Sequence, residues 1–153
     1  MSRLQTSVTG VQEAMAKLRE IGAEGERIAS REVVAAALDV QATAKTIITE
    51  TEAVDTGRLR NSIAVAESET GVVSQSNAAT GGPPGSGEGT EATNAIRPGM
   101  LSAWIGTNVE YAKEIHFGAR GMAARPFLVP SVEEHRPKLL RRLRAEIKAL
   151  ERA

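Results

Sequence analysis

The chain has 153 residues, the size of one domain, and we expect residues 1–153 to form a single unit. Its 19 basic and 19 acidic side chains give zero formal net charge, which excludes a global field attracting nucleic acid or an anionic membrane. The lack of cysteine excludes disulfides, thiol catalysis and thiolate metal sites. The first ten residues lack a signal-peptide core and no later run reaches membrane-span length, so we expect a chain made in the cytoplasm.

Two helices are predicted in the first third of the chain. Apolar residues at three- and four-residue spacing predict a short helix over Val11 to Ile21, capped by Thr9. After an interruption at Gly22 and Gly25, a longer helix is predicted from about Glu26 to Thr51. The apolar stripe of the long helix comprises Ile28, Val34, Leu38, Ala44 and Ile48. The charged positions expected to face water or a neighbouring subunit are Arg27, Arg31, Glu32, Asp39, Lys45 and Glu50.

The middle of the chain predicts a small antiparallel sheet. Residues 63–68 alternate with period two, and residues 72–78 are predicted to return as a strand across a turn at Thr70-Gly71. Residues 80–99 hold six glycines and three prolines with hardly any large apolar side chain, which predicts a long loop. Its role is either to order against a neighbour during assembly or to be an idle insertion at a hairpin tip. Residues 101–106 alternate again and predict another strand.

The last third of the chain is expected to anchor the fold. Tyr111 to Phe117 predicts a helical turn or short helix. Ser131 and Glu134 then predict a capping box for a final amphipathic helix, which Pro137 should bend or delay. All four aromatic residues lie in or just before this region: Trp104, Tyr111, Phe117 and Phe127. The apolar positions of the final helix are Val132, Leu139, Leu143, Ile147 and Leu150.

Together these elements predict an α+β fold. It has two N-terminal helices, one short and one long, and a small antiparallel sheet with a long glycine-rich hairpin loop. A short helix and a C-terminal amphipathic helix complete it.

The tripeptide Asp55-Thr56-Gly57 matches that of dimeric aspartic proteases, in which two aspartates share a proton to activate water. That chemistry needs the aspartate on a loop after an apolar strand, whereas here the preceding residues are the polar end of a helix. Arg58 also places a cation beside the carboxylate. We therefore favour a structural interpretation, in which Asp55 and Thr56 cap a turn, Gly57 relieves the backbone, and the apolar residues after it point into the core.

Other catalytic or cofactor chemistry has little support. His116 and His135 are the only histidines, and no carboxylates stand near them at metal-ligand spacing, so each is expected to be a surface or hydrogen-bonded residue. The glycine-rich stretch lacks the Lys-Ser or Lys-Thr ending of a phosphate loop. We expect no metal, no cofactor and no enzymatic activity.

The final helix is rich in charge. A helix of this kind could touch DNA phosphates, but acids near its start and bases toward its end also complement the helix dipole and keep a solvated face soluble. We favour the solvated face because no aromatic residues are interleaved for base stacking. The basic residues are Arg136, Lys138, Arg141, Arg142, Arg144, Lys148 and Arg152, with Glu133, Glu134, Glu146 and Glu151 among them.

Four short blocks, taken in order, resemble a known family. These are Asp55-Thr56-Gly57-Arg58-Leu59 with Ser62-Ile63, then Tyr111-Ala112, then Phe117-Gly118, then Arg125-Pro126-Phe127-Leu128 with Pro130. The pattern is similar to that of the gene-product-ten-like tail-component family, the neck or tail-completion proteins of long-tailed bacteriophages. The resemblance covers nearly the whole chain. Two positions depart from it, since His116 stands where the family often has Glu and Ala119 replaces the usual Thr.

The resemblance implies a non-enzymatic virion protein at the head–tail junction, made in the host bacterial cytoplasm. Such a protein would form a homo-oligomeric ring through heterologous contacts, with six-fold symmetry expected. It would bind other head–tail connector and tail proteins and pass close to DNA in the channel, with no membrane contact. A tail terminator capping the tail tube is the alternative within the same class.

The resemblance also assigns roles to residues of the four blocks. Arg58 and Arg125 would make charge-assisted bonds within or between subunits, with Asp55 or Glu114 as candidate partners. The rings of Tyr111, Phe117 and Phe127 would hold the last helix against the sheet.

Overall fold

The computed structural model describes residues 4–7, 12–51, 57–67, 94, 96–97, 99–107, 109 and 111–152. Within these ranges the protein has the predicted α+β architecture. The helices are α1 (Gln12–Glu20), α2 (Ala23–Glu50), α3 (Arg58–Ser62), α4 (Ala112–Phe117) and α5 (Leu128–Arg152), and the strands are β1 (Leu4–Ser7), β2 (Ala64–Ala66) and β3 (Trp104–Thr107). The predicted returning strand over 72–78, most of the 80–99 loop and the Thr9 cap lie outside the described residues.

The three strands form one antiparallel sheet in the order β1-β3-β2. Leu4 lies opposite Thr107, and Ala64 lies opposite Gly106. Sequence reasoning missed β1 because Leu4 is the only apolar residue in that segment, so no period-two pattern marks it. All three residues of β2 are buried, so the strand is covered on both faces.

The helices cover the sheet and enclose one core. Helices α2 and α5 pack along each other, and α1 packs against both. The sheet rests on this layer, with β2 and β3 against α2 and β1 against α5. The largest fully buried side chains are Phe127, Ile48, Ile63, Ile105, Leu128, Leu139, Leu143, Val40, Val65 and Val109. Aliphatic residues therefore dominate the core, and Phe127 is its one fully buried ring.

The buried stripe of α2 differs from the predicted one. Leu38 is 37% exposed, and Glu32, expected to face water, is buried. Leu38 lies two residues before buried Val40, which places it about 200° around the helix axis. Gly25 does not interrupt the helix but is buried within its first turn. The stripe that faces the core comprises Ile28, Ala29, Val33, Ala36, Ala37, Val40, Ala44 and Ile48.

Glu32 is buried between two cations, Arg31 of its own helix, whose Nη2 lies 3.2 Å from Glu32 Oε1, and Arg142 of α5. Arg142 Nε lies 3.5 Å from Glu32 Oε2, and Arg142 Nη2 lies 3.4 Å from Asp39 Oδ2. Arg31 Nη2 also reaches across the interface to Glu146 Oε1 at 3.2 Å. These ion pairs offset the cost of burying the carboxylate and define how far α5 is shifted along α2.

Helix α5 begins three residues earlier than predicted, so the capping box is wrong. Ser131 lies inside the first turn, where its Oγ donates to the carbonyl oxygen of Phe127 at 2.5 Å. Glu134 instead accepts a hydrogen bond from Lys138 Nζ at 2.8 Å. Pro130 occupies the first turn, where a missing N–H costs nothing, and Pro137 lies within the helix without delaying its start.

Among the described helices, none combines the length and hydropathy that a bilayer span requires.

Candidate assembly site

The first segment, residues 57–63, turns its apolar side chains inward as predicted. Gly57 has φ 72° and precedes α3, so it supplies the left-handed conformation that begins the helix. Leu59 and Ile63 are buried in the core. Asp55 and Thr56 lie outside the described residues, and the protease interpretation of the tripeptide stays untested by geometry.

A chain of hydrogen bonds ties the first segment to the sheet. Ser62 Oγ donates to the carbonyl oxygen of Leu59 at 2.7 Å and lies 2.5 Å from Thr107 Oγ1. Thr107 Oγ1 in turn accepts from the backbone N–H of Val109 at 3.1 Å. All these groups are buried, so each hydroxyl both needs and has a partner. The chain leads from α3 across β3 toward the start of α4, where the Ala112 N–H donates to the Val109 carbonyl at 3.1 Å.

Two amide side chains bind the edge of β2 that faces away from β3. Gln41 Nε2 donates to the Ile63 carbonyl at 2.8 Å and to Asn94 Oδ1 at 2.9 Å. Asn94 Oδ1 also accepts from the Val65 N–H at 3.0 Å. Sequence reasoning missed this contact because Asn94 belongs to the predicted 80–99 loop. An amide in a polar stretch gives no signal of a partner 29 residues earlier.

The second segment, residues 111–128, begins with a short helix that ends at a glycine. Ala112 is fully buried, which places α4 against the core. Gly118 ends the helix with φ 80° and ψ 154°, a conformation that is essentially restricted to glycine. A Cβ at this position would lie 2.8 Å from the Met122 carbonyl oxygen and 3.0 Å from the Ala124 nitrogen. The glycine of the Phe117-Gly118 pair is therefore required by both backbone geometry and space.

The residues after Gly118 form a loop, residues 118–126, that folds back on α4. The Met122 N–H donates to the Ala119 carbonyl, and the Arg125 N–H donates to the Ile115 carbonyl, both at 2.8 Å. Residues 120–126 are exposed, Pro126 among them. The loop therefore projects from the surface while its far end is tied to α4.

His116 fastens the base of this loop. It is buried, and its Nδ1 accepts a hydrogen bond from the Phe127 N–H at 3.3 Å. Its ring centroid lies 5.1 Å from that of Phe127, in an edge-to-face arrangement. Burial lowers the pKa of His116 from its ordinary value of 6.5, which favours the neutral imidazole that the accepting Nδ1 requires. The other histidine, His135, is also hydrogen-bonded as expected, with Nε2 2.7 Å from Thr43 Oγ1.

The two phenylalanines of the second segment face opposite ways. Phe127 is fully buried and Leu128 with it, whereas Phe117 is 61% exposed. The expectation that Phe117 holds the last helix against the sheet is therefore wrong, because neighbouring helical residues point about 100° apart and His116 takes the inward position. Tyr111 is partly buried and packs against the core.

The residues of the predicted site thus fall into a buried group and a solvent-exposed group. Leu59, Ile63, Ala112, Phe127 and Leu128 share one core, although the two segments are about 50 residues apart in the chain. Phe117 and Met122, the latter 42% exposed, lie at the root and tip of the loop. The pairings predicted for Arg58 and Arg125 stay predictions.

No group of three or more His, Cys, Asp or Glu that could hold a metal ion occurs in the part of the chain that the structure describes. Comparison with known proteins adds no likeness: no family model, no curated protein and no solved structure matches the chain.

Proposed function

We propose that the protein is a non-enzymatic structural component of a bacteriophage virion. It forms a homo-oligomeric ring at the head–tail interface and helps to join the tail to the DNA-filled capsid. The order of the four sequence blocks supports this proposal, and so does the division of those blocks into a buried scaffold and an exposed loop.

The observation that carries the proposal is the exposure of Phe117 at the base of a well-anchored loop. Aromatic residues and methionine are enriched in the buried centres of protein–protein interfaces, and here Phe117 and Met122 are both presented to solvent. The bonds of His116 to Phe127 and of Arg125 to Ile115 fix the base of the loop. A loop that is ordered before binding loses little conformational entropy on association, so it suits a repeated contact between subunits.

A ring follows if the loop of one subunit meets a different face of the next subunit. Heterologous contacts of this kind close into a cyclic assembly when the rotation per subunit divides a full turn. We propose six-fold symmetry, with further contacts to head–tail connector and tail proteins above and below the ring.

The proposal is tested in assembling phage particles with Phe117→Gln and Leu38→Gln as matched variants. Leu38 is an exposed apolar residue on α2, so the two variants remove similar side chains from different faces. We expect Phe117→Gln to lower the yield of tailed particles strongly and Leu38→Gln to leave it near that of the unchanged protein. Equal yields for both variants, or the absence of the protein from purified particles, would overturn the proposal.

The remaining alternatives give different results in the same system. A tail terminator would be located at the top of the tail tube in tails that have not joined heads, whereas a neck protein would appear only at the junction. An aspartic protease would lose peptide cleavage in an Asp55→Asn variant, and normal particle assembly with that variant would dismiss the protease.

A further inference from the structure

The C-terminal two thirds of α5 concentrate positive charge in a neutral protein. Residues 136–152 contain seven basic and two acidic side chains, a net charge of +5. The other 136 residues contain twelve basic and seventeen acidic side chains, a net charge of −5. Such asymmetry is typical of proteins with a polyanionic partner.

Four of these cations form one continuous surface. Arg141, Arg144, Lys148 and Arg152, here called the basic stripe, fall within an arc of about 80° when plotted at 100° per residue. All four are exposed, and they lie on the opposite side of the helix from buried Leu139, Leu143 and Ile147. Lys17 of α1 lines the same shallow groove as Arg144 and Lys148, and so extends the positive surface beyond α5.

Two of the acidic residues of α5 are engaged by cations outside the stripe. Glu146 turns toward α2 and pairs with Arg31, and Glu134 pairs with Lys138. Glu151, at the edge of the groove, is the one carboxylate that lines it. Within the described ranges, no ion pair joins any residue of the basic stripe to a carboxylate.

The spacing of the stripe works against the stability of the isolated helix. Arg144 and Lys148, and then Lys148 and Arg152, are like charges four residues apart, an arrangement that destabilises a helix. A face that only had to be soluble would gain from an acid at one of these positions. The arrangement is therefore better explained by an anion that lies along the helix.

We propose that the basic stripe binds the phosphate backbone of duplex DNA without sequence preference. From residue 141 to residue 152 the helix rises about 16 Å, which matches about five base pairs along a duplex. Arginine and lysine contact phosphates directly. Residues 136–152 contain no Asn or Gln to read base edges and no aromatic ring to stack on unpaired bases, so duplex phosphates are favoured over single strands.

The test measures binding of the full chain to fluorescent DNA duplexes of two unrelated sequences while the salt concentration is varied. Four phosphate contacts should lower the affinity on the order of 100-fold between 50 and 200 mM salt, equally for both sequences. Arg144→Gln, Lys148→Gln and Arg152→Gln should each reduce the slope of log affinity against log salt by about 0.9. Circular dichroism checks that each variant keeps its helices.

Arg27→Gln is the matched control, since Arg27 is an exposed cation on α2 that does not belong to the stripe, and its loss changes the net charge equally. It should leave the slope unchanged. A slope that falls equally with Arg27→Gln, or a duplex affinity that does not depend on salt, would overturn the proposal. So would polyglutamate that displaces the duplex at equal charge concentration, because the stripe would then fit an acidic protein. The assay uses purified protein, so its result does not depend on whether the protein forms a ring.

Discussion

The two glycine-containing segments use their apolar side chains differently. In the first segment Leu59 and Ile63 both turn inward, and Ser62 completes a buried hydrogen-bond chain with Thr107. In the second segment Phe127 turns inward while Phe117 faces solvent. The apolar side chains of the first segment therefore only stabilise the fold, whereas the second segment also exposes an apolar side chain to solvent.

The difference arises because a histidine, and not the phenylalanine beside it, takes the inward position at the end of α4. His116 occupies the inward position at the end of α4 and holds the Phe127 backbone, which leaves Phe117 outside. The first segment has no comparable histidine at an inward position, and its apolar residues lie on the inner face of α3. Similar spacing of apolar residues can thus conceal opposite roles.

The contrast between the buried and the exposed phenylalanine is tested most directly by replacing each with alanine in turn. Phe127→Ala should lower the free energy of unfolding by about 3–5 kcal/mol, because it leaves a cavity in the core. Phe117→Ala should change it by less than about 1 kcal/mol, since its ring is largely exposed. Denaturant unfolding of both purified variants measures this difference. Similar losses from the two variants would show that Phe117 is part of the core after all.

The two glycines allow the same comparison for the backbone. Gly57→Ala should cost about 1 kcal/mol, because its left-handed conformation is strained for alanine but the nearest side-chain atom to a new Cβ lies 3.8 Å away. Gly118→Ala should cost about 2–3 kcal/mol, since its conformation is nearly glycine-only and the Cβ would also meet the Met122 carbonyl. Thermal unfolding of the two variants ranks them. A Gly118 variant no less stable than the Gly57 variant would contradict the tight loop.

The smallest expected effect is on the pH dependence of the free energy of unfolding, and it tests the role of His116. Because burial lowers its pKa below 6.5, the unfolded chain takes up a proton as pH falls through that value while the folded chain does not. Stability should therefore be full above about pH 6.5, decline below it, and stop declining once the folded histidine also protonates.

His116→Asn is the control, since it keeps an acceptor near Nδ1 but does not titrate. Chemical denaturation at several pH values should show a flatter profile for this variant, with His135 unchanged in both proteins. Parallel profiles would mean that His116 is not responsible for the pH dependence.

Sequence periodicity predicted the helices well because their buried stripes repeat strongly. Helices α1, α2, α4 and α5 lie close to their predicted positions. The buried stripe of α2 was misassigned at Leu38 because a run rich in alanine fits several faces equally well. Glu32 was misassigned because its partner, Arg142, comes from a helix far along the chain.

The strands and the site were harder to predict for a different reason. Segment β1 is a strand because it pairs with β3, and its own composition does not mark it as one. The glycine turns at Gly57 and Gly118 could be predicted, since their neighbours mark them in the sequence. The exposure of Phe117 could not, because it depends on whether His116 or Phe117 takes the single inward position at the end of α4.

The pairing of Arg142 with both Glu32 and Asp39 has a mechanical consequence. The two carboxylates lie two helical turns apart on α2, so a slip of α5 by one turn in either direction would move the guanidinium away from one of them. Helix α5 starts immediately after Phe127, at the end of the 118–126 loop. A pull on the loop would therefore act along α5, and the contacts of Arg142 with α2 would oppose it.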